Sequence, residues 1–335
     1  MSAAVPKLLV VGGNGFLGSA ICKAAVSKGW QVSSMSSSGK PYTTPAGHTP
    51  TWSTKVHWSQ ADAFDSSTYT DLIKDQTSVV HTLGILLEDT GYKRSIREGD
   101  LLGLAGSLVR STNLGGGGGN GNPLKGTEEK KRGYEGMNRD SAIKVLDTFL
   151  SSSSSSTTPT RIPKQFIYIS AADAFRPLIP SRYIETKREA EIDIARRCQE
   201  YNQARSQYNV DEKVKPIFIR PGLMYHPHIR PLSTLPAFLI DLSSKLSLRT
   251  GIPNPFSSKS PLYGALESLR TFPLHVDHVA ASVLKCIEES RASTNTSTGE
   301  EQVESGWGGA RVVEVPVMRE WAGLGVRKGG NALKQ

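Results

Sequence analysis

Cysteine is scarce in this chain. Its 335 residues include three cysteines, Cys22, Cys198 and Cys286, and no two of them have the C-x-x-C spacing. We also find no clustered histidines along the sequence. A disulfide framework and a zinc site are therefore not expected, and we predict no metal ligands.

Long apolar runs are missing as well. No stretch approaches the ~20 residues that a membrane-spanning helix needs. Residues 1–6 precede the first predicted strand and leave no room for a secretory signal or a long amphipathic presequence. We therefore predict no transmembrane segment.

The charge balance is basic, but the chain lacks a basic cluster. Its 40 Lys and Arg residues against 31 Asp and Glu residues give a formal net charge of +9. These residues are scattered, and the densest stretch, residues 128–132, mixes both signs. The pattern argues against nucleic-acid recognition and favours an anionic cofactor or a position near a membrane surface.

A glycine-rich turn stands between a strand pattern and a helix pattern at the start of the chain. Residues 7–11 are mostly apolar, residues 12–18 contain the spacing G-x-x-G-x-x-G, and residues 19–26 have helical spacing. Such a turn directs backbone N–H groups and the positive end of a helix at a phosphate. It predicts that a dinucleotide diphosphate binds here. The predicted cofactor contacts in this turn are Gly12, Asn14, Gly15, Phe16, Leu17 and Gly18.

Strand and helix patterns then alternate along the chain, which indicates βαβ units and a parallel sheet. We predict an α/β fold, a Rossmann-type doubly wound parallel sheet with a small C-terminal substrate lobe. The predicted strands are residues 7–11, 31–35, 56–60, 78–84, 165–170, 216–221 and 311–315.

The predicted domain layout follows from changes in composition. The NAD(P)-binding domain covers residues 1–225, with glycine-rich and serine-rich inserts at about 88–133 and 151–160. Residues 226–272 are the predicted substrate lobe. Residues 273–290 are predicted to return to the main sheet as strand, turn and helix. Residues 291–335 are predicted to be a mobile loop and an edge element.

A tyrosine and a lysine with helical spacing are the predicted catalytic pair. Tyr183 and Lys187 are four residues apart at the start of a predicted long helix, so they share one face. A cation beside a phenol lowers the phenol pKa, which makes Tyr183 a candidate proton donor and acceptor. Ser170 ends the fifth predicted strand, where it could hydrogen-bond a substrate oxygen. A pair of surface residues on a helix is the alternative explanation of the Tyr–Lys spacing.

The end of the second predicted strand bears on the choice between NAD and NADP. A carboxylate there would bind the ribose 2′-hydroxyl, and a basic residue would bind a 2′-phosphate. The chain offers Ser36, Ser37 and Lys40 and no carboxylate. This favours NADP(H) as the form of the NAD(P) cofactor, although a solvated serine loop would give the same sequence.

These motifs together resemble the extended and atypical short-chain dehydrogenase/reductases, the NAD-dependent epimerase/dehydratase-like branch. The resemblance covers roughly residues 7–290. Residues 16–18 and 182–191 are most similar to an atypical mitochondrial group. That group includes the dehydrogenase-like protein of the fungal coenzyme Q biosynthetic complex and the related accessory subunit of respiratory complex I.

The resemblance implies further cofactor contacts. Asp62 would bind the adenine amino group, although it could simply be a turn residue. The remaining implied contacts lie on the adenine-ribose side (Thr82, Leu83 and Gly84), beside the nicotinamide (Pro221, Gly222 and Leu223) and at the nicotinamide ribose (Lys187).

The resemblance also implies a function and a location. It implies an NAD(P)-binding protein on the matrix side of the mitochondrial inner membrane that supports ubiquinone biosynthesis within a complex. Catalysis would be hydride transfer on a carbonyl or alcohol of a prenylated quinone precursor. Two alternatives stay open: a nucleotide-bound scaffold without turnover, and an epimerase or dehydratase acting on sugar nucleotides. A cytoplasmic location is the alternative to the mitochondrion.

Two features beyond the sixth strand have both a functional and a structural explanation. His226 and His228 flank Pro227 and could face a substrate or be bystanders. Apolar residues at helical spacing over 235–246 could receive an isoprenoid tail, touch a membrane or pack within the lobe.

Overall fold

The computed structural model describes residues 5–85, 133–153, 164–173, 179–207, 213–229, 272–292 and 309–324. The predicted glycine-rich insert, most of the predicted substrate lobe and the apolar pattern over 235–246 lie outside these residues. Within them, no helix combines the length and apolar character needed to cross a membrane.

A seven-stranded parallel sheet forms the centre of the molecule. Its spatial order is β3-β2-β1-β4-β5-β6-β9. From β1 to β3 the chain adds strands on one side of β1, and from β4 onward it adds them on the other side, while all strands stay parallel. The predicted Rossmann-type doubly wound sheet is therefore confirmed. Its strands are β1 (Lys7–Val11), β2 (Gln31–Ser36), β3 (Val56–Gln60), β4 (Ser78–His81), β5 (Lys164–Ile169), β6 (Val214–Ile219) and β9 (Arg311–Val313).

Helices cover both faces of the sheet. A π-helical segment, Glu135–Asp140, runs directly into α3, and short 3-10 turns lie at Thr51–Lys55 and Ser66–Thr68. The α-helices of the described residues are α1 (Phe16–Ser27), α2 (Thr70–Lys74), α3 (Ser141–Ser153), α4 (Ser181–Gln207), α5 (Val276–Ala292) and α6 (Val315–Trp321).

The core has two layers because successive strand residues point to opposite faces. On one face Val10 packs in a cluster with Ile21 of α1 and Val283 of α5. On the other face Leu9 packs in a cluster that includes Leu146 of α3 and Ile194 of α4. Strands buried on both faces account for the nearly continuous apolar runs in the sequence.

The structure corrects the prediction that residues 273–290 return to the main sheet as strand and helix. The strand β8 (Leu274–His275) pairs instead with β7 (Met224–Tyr225) in a separate two-stranded sheet. The helix α5 does return, since it packs against α1. The predicted serine-rich insert also begins later, because α3 continues to Ser153.

The start of α1 lies against the backbone of the glycine turn. A Cβ atom at Gly18 would come within 2.2 Å of the Gly12 carbonyl oxygen and 2.8 Å of the Gly13 Cα. A Cβ at Gly15 would have one close neighbour, the Gly12 oxygen at 3.1 Å. Gly18 is therefore required by packing, whereas a small shift of the Gly12 carbonyl would admit a methyl group at Gly15.

We predict that Gly18→Ala lowers the free energy of unfolding by about 1–3 kcal/mol or more, since backbone must move to admit the methyl group. Gly15→Ala in the same turn is the matched control and should cost less than half as much. Urea unfolding followed by circular dichroism measures both. Equal losses in the two variants would contradict the packing account.

Candidate functional site

The glycine turn is built by the end of β1 and the strands beside it. Gly12 has a positive φ of 87°, and its N–H donates to the Met35 carbonyl of β2 at 2.8 Å. A Cβ at Gly12 would lie 2.8 Å from the Thr82 hydroxyl. Both the backbone conformation and the close approach of the β4 exit therefore require glycine.

The N-terminus of α1 is open at Gly15. Gly15 is exposed and precedes the helix without a side-chain cap, and the first turn of α1 contains no acidic residue. The first N–H groups of a helix need partners from outside the helix, and they carry partial positive charge. An open glycine at this position fits the diphosphate of a dinucleotide.

The loop after β2 is held by serine hydroxyls. Ser38 Oγ accepts hydrogen bonds from Asn14 Nδ2 at 3.1 Å and from the Lys40 N–H at 3.3 Å. Ser36 Oγ accepts from the Gly39 N–H at 3.2 Å. This network joins the loop to the glycine turn through Ser38, which is not among the predicted cofactor contacts. Of the predicted cofactor contacts in this loop, Ser37 and Lys40 are exposed, and Ser36 is half-buried.

Asp62 forms a turn after β3. Its Oδ1 accepts from the Phe64 N–H at 3.0 Å, and its own N–H donates to Thr68 Oγ1 at 3.1 Å. Asp62 therefore has the local turn role that was the alternative to adenine binding. Its side chain is exposed at the carboxyl end of the sheet, and contact with adenine stays a prediction.

The exit of β4 contacts both the glycine turn and α4. Thr82 Oγ1 donates to the Val11 carbonyl at 2.7 Å. Leu83 is half-buried and Gly84 is exposed. A Cβ at Gly84 would lie 2.9 Å from Lys187 Nζ, so the absence of a side chain at Gly84 leaves room for the ammonium group.

Lys187 lies buried at the carboxyl ends of β4 and β5. Its Nζ donates to the Ile169 carbonyl at 2.9 Å and to the Leu83 carbonyl at 3.5 Å, and it stands 4.7 Å from the centre of the Tyr168 ring. Burial lowers the pKa of Lys187 to about 7, against a smaller raising effect of Glu191. A cation at this edge of a parallel sheet is well placed to meet a ligand.

Tyr183 lies one helical turn before Lys187 on α4. It is half-buried, and its ring meets Tyr134 edge-on with 6.4 Å between ring centres. With Tyr183 half-buried and Lys187 buried, the two residues are not the surface pair that was the alternative explanation.

Ser170 is packed inside the protein. It is 3% exposed, and its hydroxyl accepts a hydrogen bond from Arg188 Nη1 at 2.9 Å. Arg188 also donates to the Ala171 carbonyl at 2.8 Å. Ser170 thus has an internal partner that the sequence analysis did not predict, and its role toward a substrate stays a prediction.

A buried carboxylate organises the arginines beside Ser170. Glu191 is 4% exposed and accepts from Arg188 at 2.7 Å and from Arg220 Nε at 3.0 Å. Arg220 also pairs with Glu314 at 2.8 Å. The i,i+3 spacing of Arg188 and Glu191 was the sequence signal for part of this network.

The predicted nicotinamide contacts directly follow Arg220, which fixes the end of β6. Of these contacts, Pro221 is buried, and Gly222 and Leu223 are half-buried.

Asn138, which the sequence analysis missed, joins the β4 exit to α4. It is fully buried, its Oδ1 accepts from the Ile85 N–H at 2.9 Å, and its Nδ2 donates to Thr186 Oγ1 at 3.3 Å. Its backbone carbonyl accepts from the Tyr168 hydroxyl. Asn138 therefore fixes the segment that faces Lys187.

His81 completes the buried polar cluster near Lys187. Burial and the charge of Lys187 lower the pKa of His81 to about 3, so the ring is neutral at physiological pH. Its Nε2 meets Ser141 Oγ at 3.1 Å. The ring also stacks on Tyr168, so His81 packs at the end of β4.

Comparison with known proteins gives consistent findings. The sequence pattern of the NAD dependent epimerase/dehydratase family matches residues 8–94. A Saccharomyces cerevisiae protein named MIOREX complex component 2 is 37% identical over 287 residues, which cover 85% of this chain and 94% of that protein.

Solved structures of low identity share the fold. A 3-oxoacyl-(acyl-carrier protein) reductase from Brucella melitensis in complex with NAD is 12% identical with a TM-score of 0.52, over 95% of this chain and 98% of that one. An oxidoreductase of the short-chain dehydrogenase/reductase family from Burkholderia thailandensis is 13% identical with a TM-score of 0.51, over 94% and 93%. These likenesses support the fold.

We predict that burial of Lys187 makes stability rise with pH. Its pKa is about 7 in the folded protein, against the ordinary lysine value of 10.5 expected in the unfolded chain, so between these values the unfolded chain binds the extra proton. Stability should therefore increase through that window by up to about 1.4 kcal/mol per pH unit.

Urea unfolding between pH 7 and 10 tests this, with Lys187→Met as the variant and the exposed Lys55→Met as its control. The slope should flatten in Lys187→Met and stay unchanged in Lys55→Met. A Lys187→Met protein with the wild-type slope would show that Lys187 stays charged in the folded state.

Proposed function

The chain belongs to the NAD-dependent epimerase/dehydratase family, and from this premise we propose that it binds NAD(P)(H) across the carboxyl ends of β1, β4 and β5. The observation that carries the proposal is the open Gly15 at the uncapped N-terminus of α1. Gly12, Asn14, Gly15, Phe16, Leu17 and Gly18 would surround the diphosphate. Lys187, at the ends of β4 and β5, would face the nicotinamide ribose.

The preference for NADP(H) is part of the proposal. The loop after β2 carries no carboxylate to bind a ribose 2′-hydroxyl, and its exposed Lys40 is suited to a 2′-phosphate. The hydrogen bond from Asn14 to Ser38 fixes this loop beside the glycine turn. A 2′-phosphate on a bound dinucleotide would then fall among serine hydroxyls and one ammonium group.

The proposed reaction is hydride transfer between the nicotinamide, which supplies the hydride when bound, and a carbonyl or alcohol carbon. Tyr183 would exchange the proton with the substrate oxygen. Lys187, near its titration point at neutral pH, would gain positive charge beside an anionic dinucleotide and so favour the Tyr183 phenolate. Arg188 holds Ser170, so the serine would orient a substrate only by sharing its hydroxyl.

The proposed setting is ubiquinone biosynthesis on the matrix side of the mitochondrial inner membrane. The resemblance of residues 16–18 and 182–191 to the mitochondrial group supports this location. The relative in S. cerevisiae is named as a component of a complex, which supports work within an assembly. The substrate would be a prenylated quinone precursor.

One observation favours a second candidate, a nucleotide-bound subunit without turnover. Dehydrogenation needs a hydroxyl that can orient the substrate oxygen. The Ser170 residue is only 3% exposed, and its hydroxyl already accepts a hydrogen bond from Arg188. In this candidate, bound nucleotide would stabilise the glycine turn and the Lys187 pocket, and partner proteins would use the outer surface.

We predict that Gly15→Val abolishes nucleotide-dependent thermal stabilisation without unfolding the protein, since the valine side chain would occupy the proposed diphosphate site. Ser27→Val, at the exposed other end of α1, is the control. Melting temperatures with NADPH and NADH report both binding and preference, and the wild type should respond more to NADPH. Full stabilisation of Gly15→Val would contradict the site.

Tyr183→Phe separates the two candidates. If Tyr183 transfers a proton, the variant should bind NADPH within about twofold of wild type but lose at least 100-fold in turnover, the scale of general acid–base catalysis. Tyr201→Phe on the same helix is the control. Cells that depend on the protein should then lose ubiquinone. Normal ubiquinone content with Tyr183→Phe would reject turnover and support the subunit candidate.

A further inference from the structure

Histidines from separate parts of the chain meet where the small sheet joins α5. His226 follows β7, His275 ends β8, and Asp277 lies in the first turn of α5. The His226 and His275 ring centres are 4.8 Å apart, and His275 Nδ1 lies 3.8 Å from Asp277 Oδ2. One ligand atom from each of the three residues lies within 4.8 Å of the other two.

The pairing of β7 with β8 creates this arrangement. The register sets Tyr225 beside His275, and the Tyr225 ring meets the imidazole edge-on at 5.4 Å. This packing restricts the His275 ring. His278, in the first turn of α5, lies 5.8 Å from His275 by ring centres, and its buried Nδ1 has no hydrogen-bond partner in the described structure.

We propose that His226, His275 and Asp277 bind one divalent transition-metal ion of the zinc type. Two imidazoles and one carboxylate are donors that Zn²⁺ accepts, with a fourth position left for water. Magnesium and calcium prefer sites made entirely of oxygen ligands, so the imidazoles argue against them. No metal ligands were predicted from the spacing along the chain, because His226 is remote in sequence from His275 and Asp277.

One ion pair within the cluster would have to give way to the metal. Lys23 Nζ lies 3.7 Å from Asp277 Oδ2, but both side chains are about half exposed. An exposed ion pair of this kind is weak and gives way to a divalent cation.

Metal binding requires a local rearrangement. His226 Nδ1 accepts from the His228 N–H at 3.1 Å, and His275 Nδ1 accepts from the Asp277 N–H at 3.3 Å. Zinc–ligand bonds of about 2.0–2.2 Å also need the ligand atoms to approach more closely than 4.8 Å. The rings must therefore turn, and we expect micromolar rather than nanomolar affinity.

The metal would connect two segments that are remote in sequence. His226 is the first residue of the predicted substrate lobe, and His275 and Asp277 follow the lobe. An ion held by all three would fix both ends of that part of the chain to the main domain. The cofactor residues of the glycine turn contribute no ligand, so the site functions without bound nucleotide.

Calorimetric titration of the untagged, chelator-treated full chain with ZnCl₂ tests the proposal. We expect one equivalent to bind with micromolar affinity, and Co²⁺ in its place to give visible d–d absorption typical of bound imidazole. Affinity should fall at least tenfold in His275→Ala, and likewise in His226→Ala, which is half-buried, directly follows β7 and lies outside β8. His57→Ala, an exposed histidine on β3, should bind as the wild type does.

Three results would overturn the proposal: no saturable binding by the wild type, unchanged affinity in both His226→Ala and His275→Ala, or an equal loss in His57→Ala. Acidification supplies an independent readout, because protons compete for imidazole nitrogens. Affinity should weaken steeply below about pH 6. Binding that is insensitive to pH would assign the ion to other groups.

Discussion

The contact between the first turn of α1 and the backbone of the glycine turn determines the geometry of the whole cofactor side. Gly18 lies so close to Gly12 and Gly13 that no side chain fits between them. This contact sets the angle at which α1 leaves the sheet. That angle in turn directs the N-terminal N–H groups of α1 over the carboxyl end of β1 and leaves Gly15 exposed. The glycine turn also positions the loop after β2, because the Asn14 side chain within the turn donates a hydrogen bond to Ser38 in that loop.

A second constraint is the burial of charge around α4. Lys187, Arg188 and Glu191 follow one another along the first half of α4. Lys187 and Arg188 bind the end of β5 at Ile169 and Ser170, and Glu191 binds Arg220 at the end of β6. Breaking a buried ion pair leaves an uncompensated charge, which is much more costly than losing a surface pair. The network of Glu191 with Arg188 and Arg220 therefore fixes the ends of β5 and β6 with respect to α4. A ligand that meets Tyr183 and Lys187 would find these elements already in position.

The sequence predicted well what depends on neighbours along the chain. The strand and helix patterns, the glycine turn and the four-residue spacing of Tyr183 and Lys187 are local signals, and the corresponding elements are present. Contacts between segments that are remote in sequence could not be predicted from local patterns. No local pattern indicates that Arg188 donates a hydrogen bond to Ser170 or that Asn138 accepts one from Ile85. Likewise, none indicates that the His226 ring lies against the His275 ring. The pairing of β8 with β7 was missed for the same reason, since two-residue strands carry no periodicity.

The π-helical segment before α3 has a consequence for chain length. A π-turn holds more residues than the 3.6 of an α-helical turn, and it arises when one residue is inserted into a helix. Asn138 lies inside this segment, and both its side chain and its carbonyl are engaged. Deleting a single residue here would rotate the preceding helical positions by roughly 100° and carry the amide away from Ile85. Many side chains along this helix can therefore be substituted, but a one-residue deletion would break the hydrogen bonds by which Asn138 joins the exit of β4 to α4.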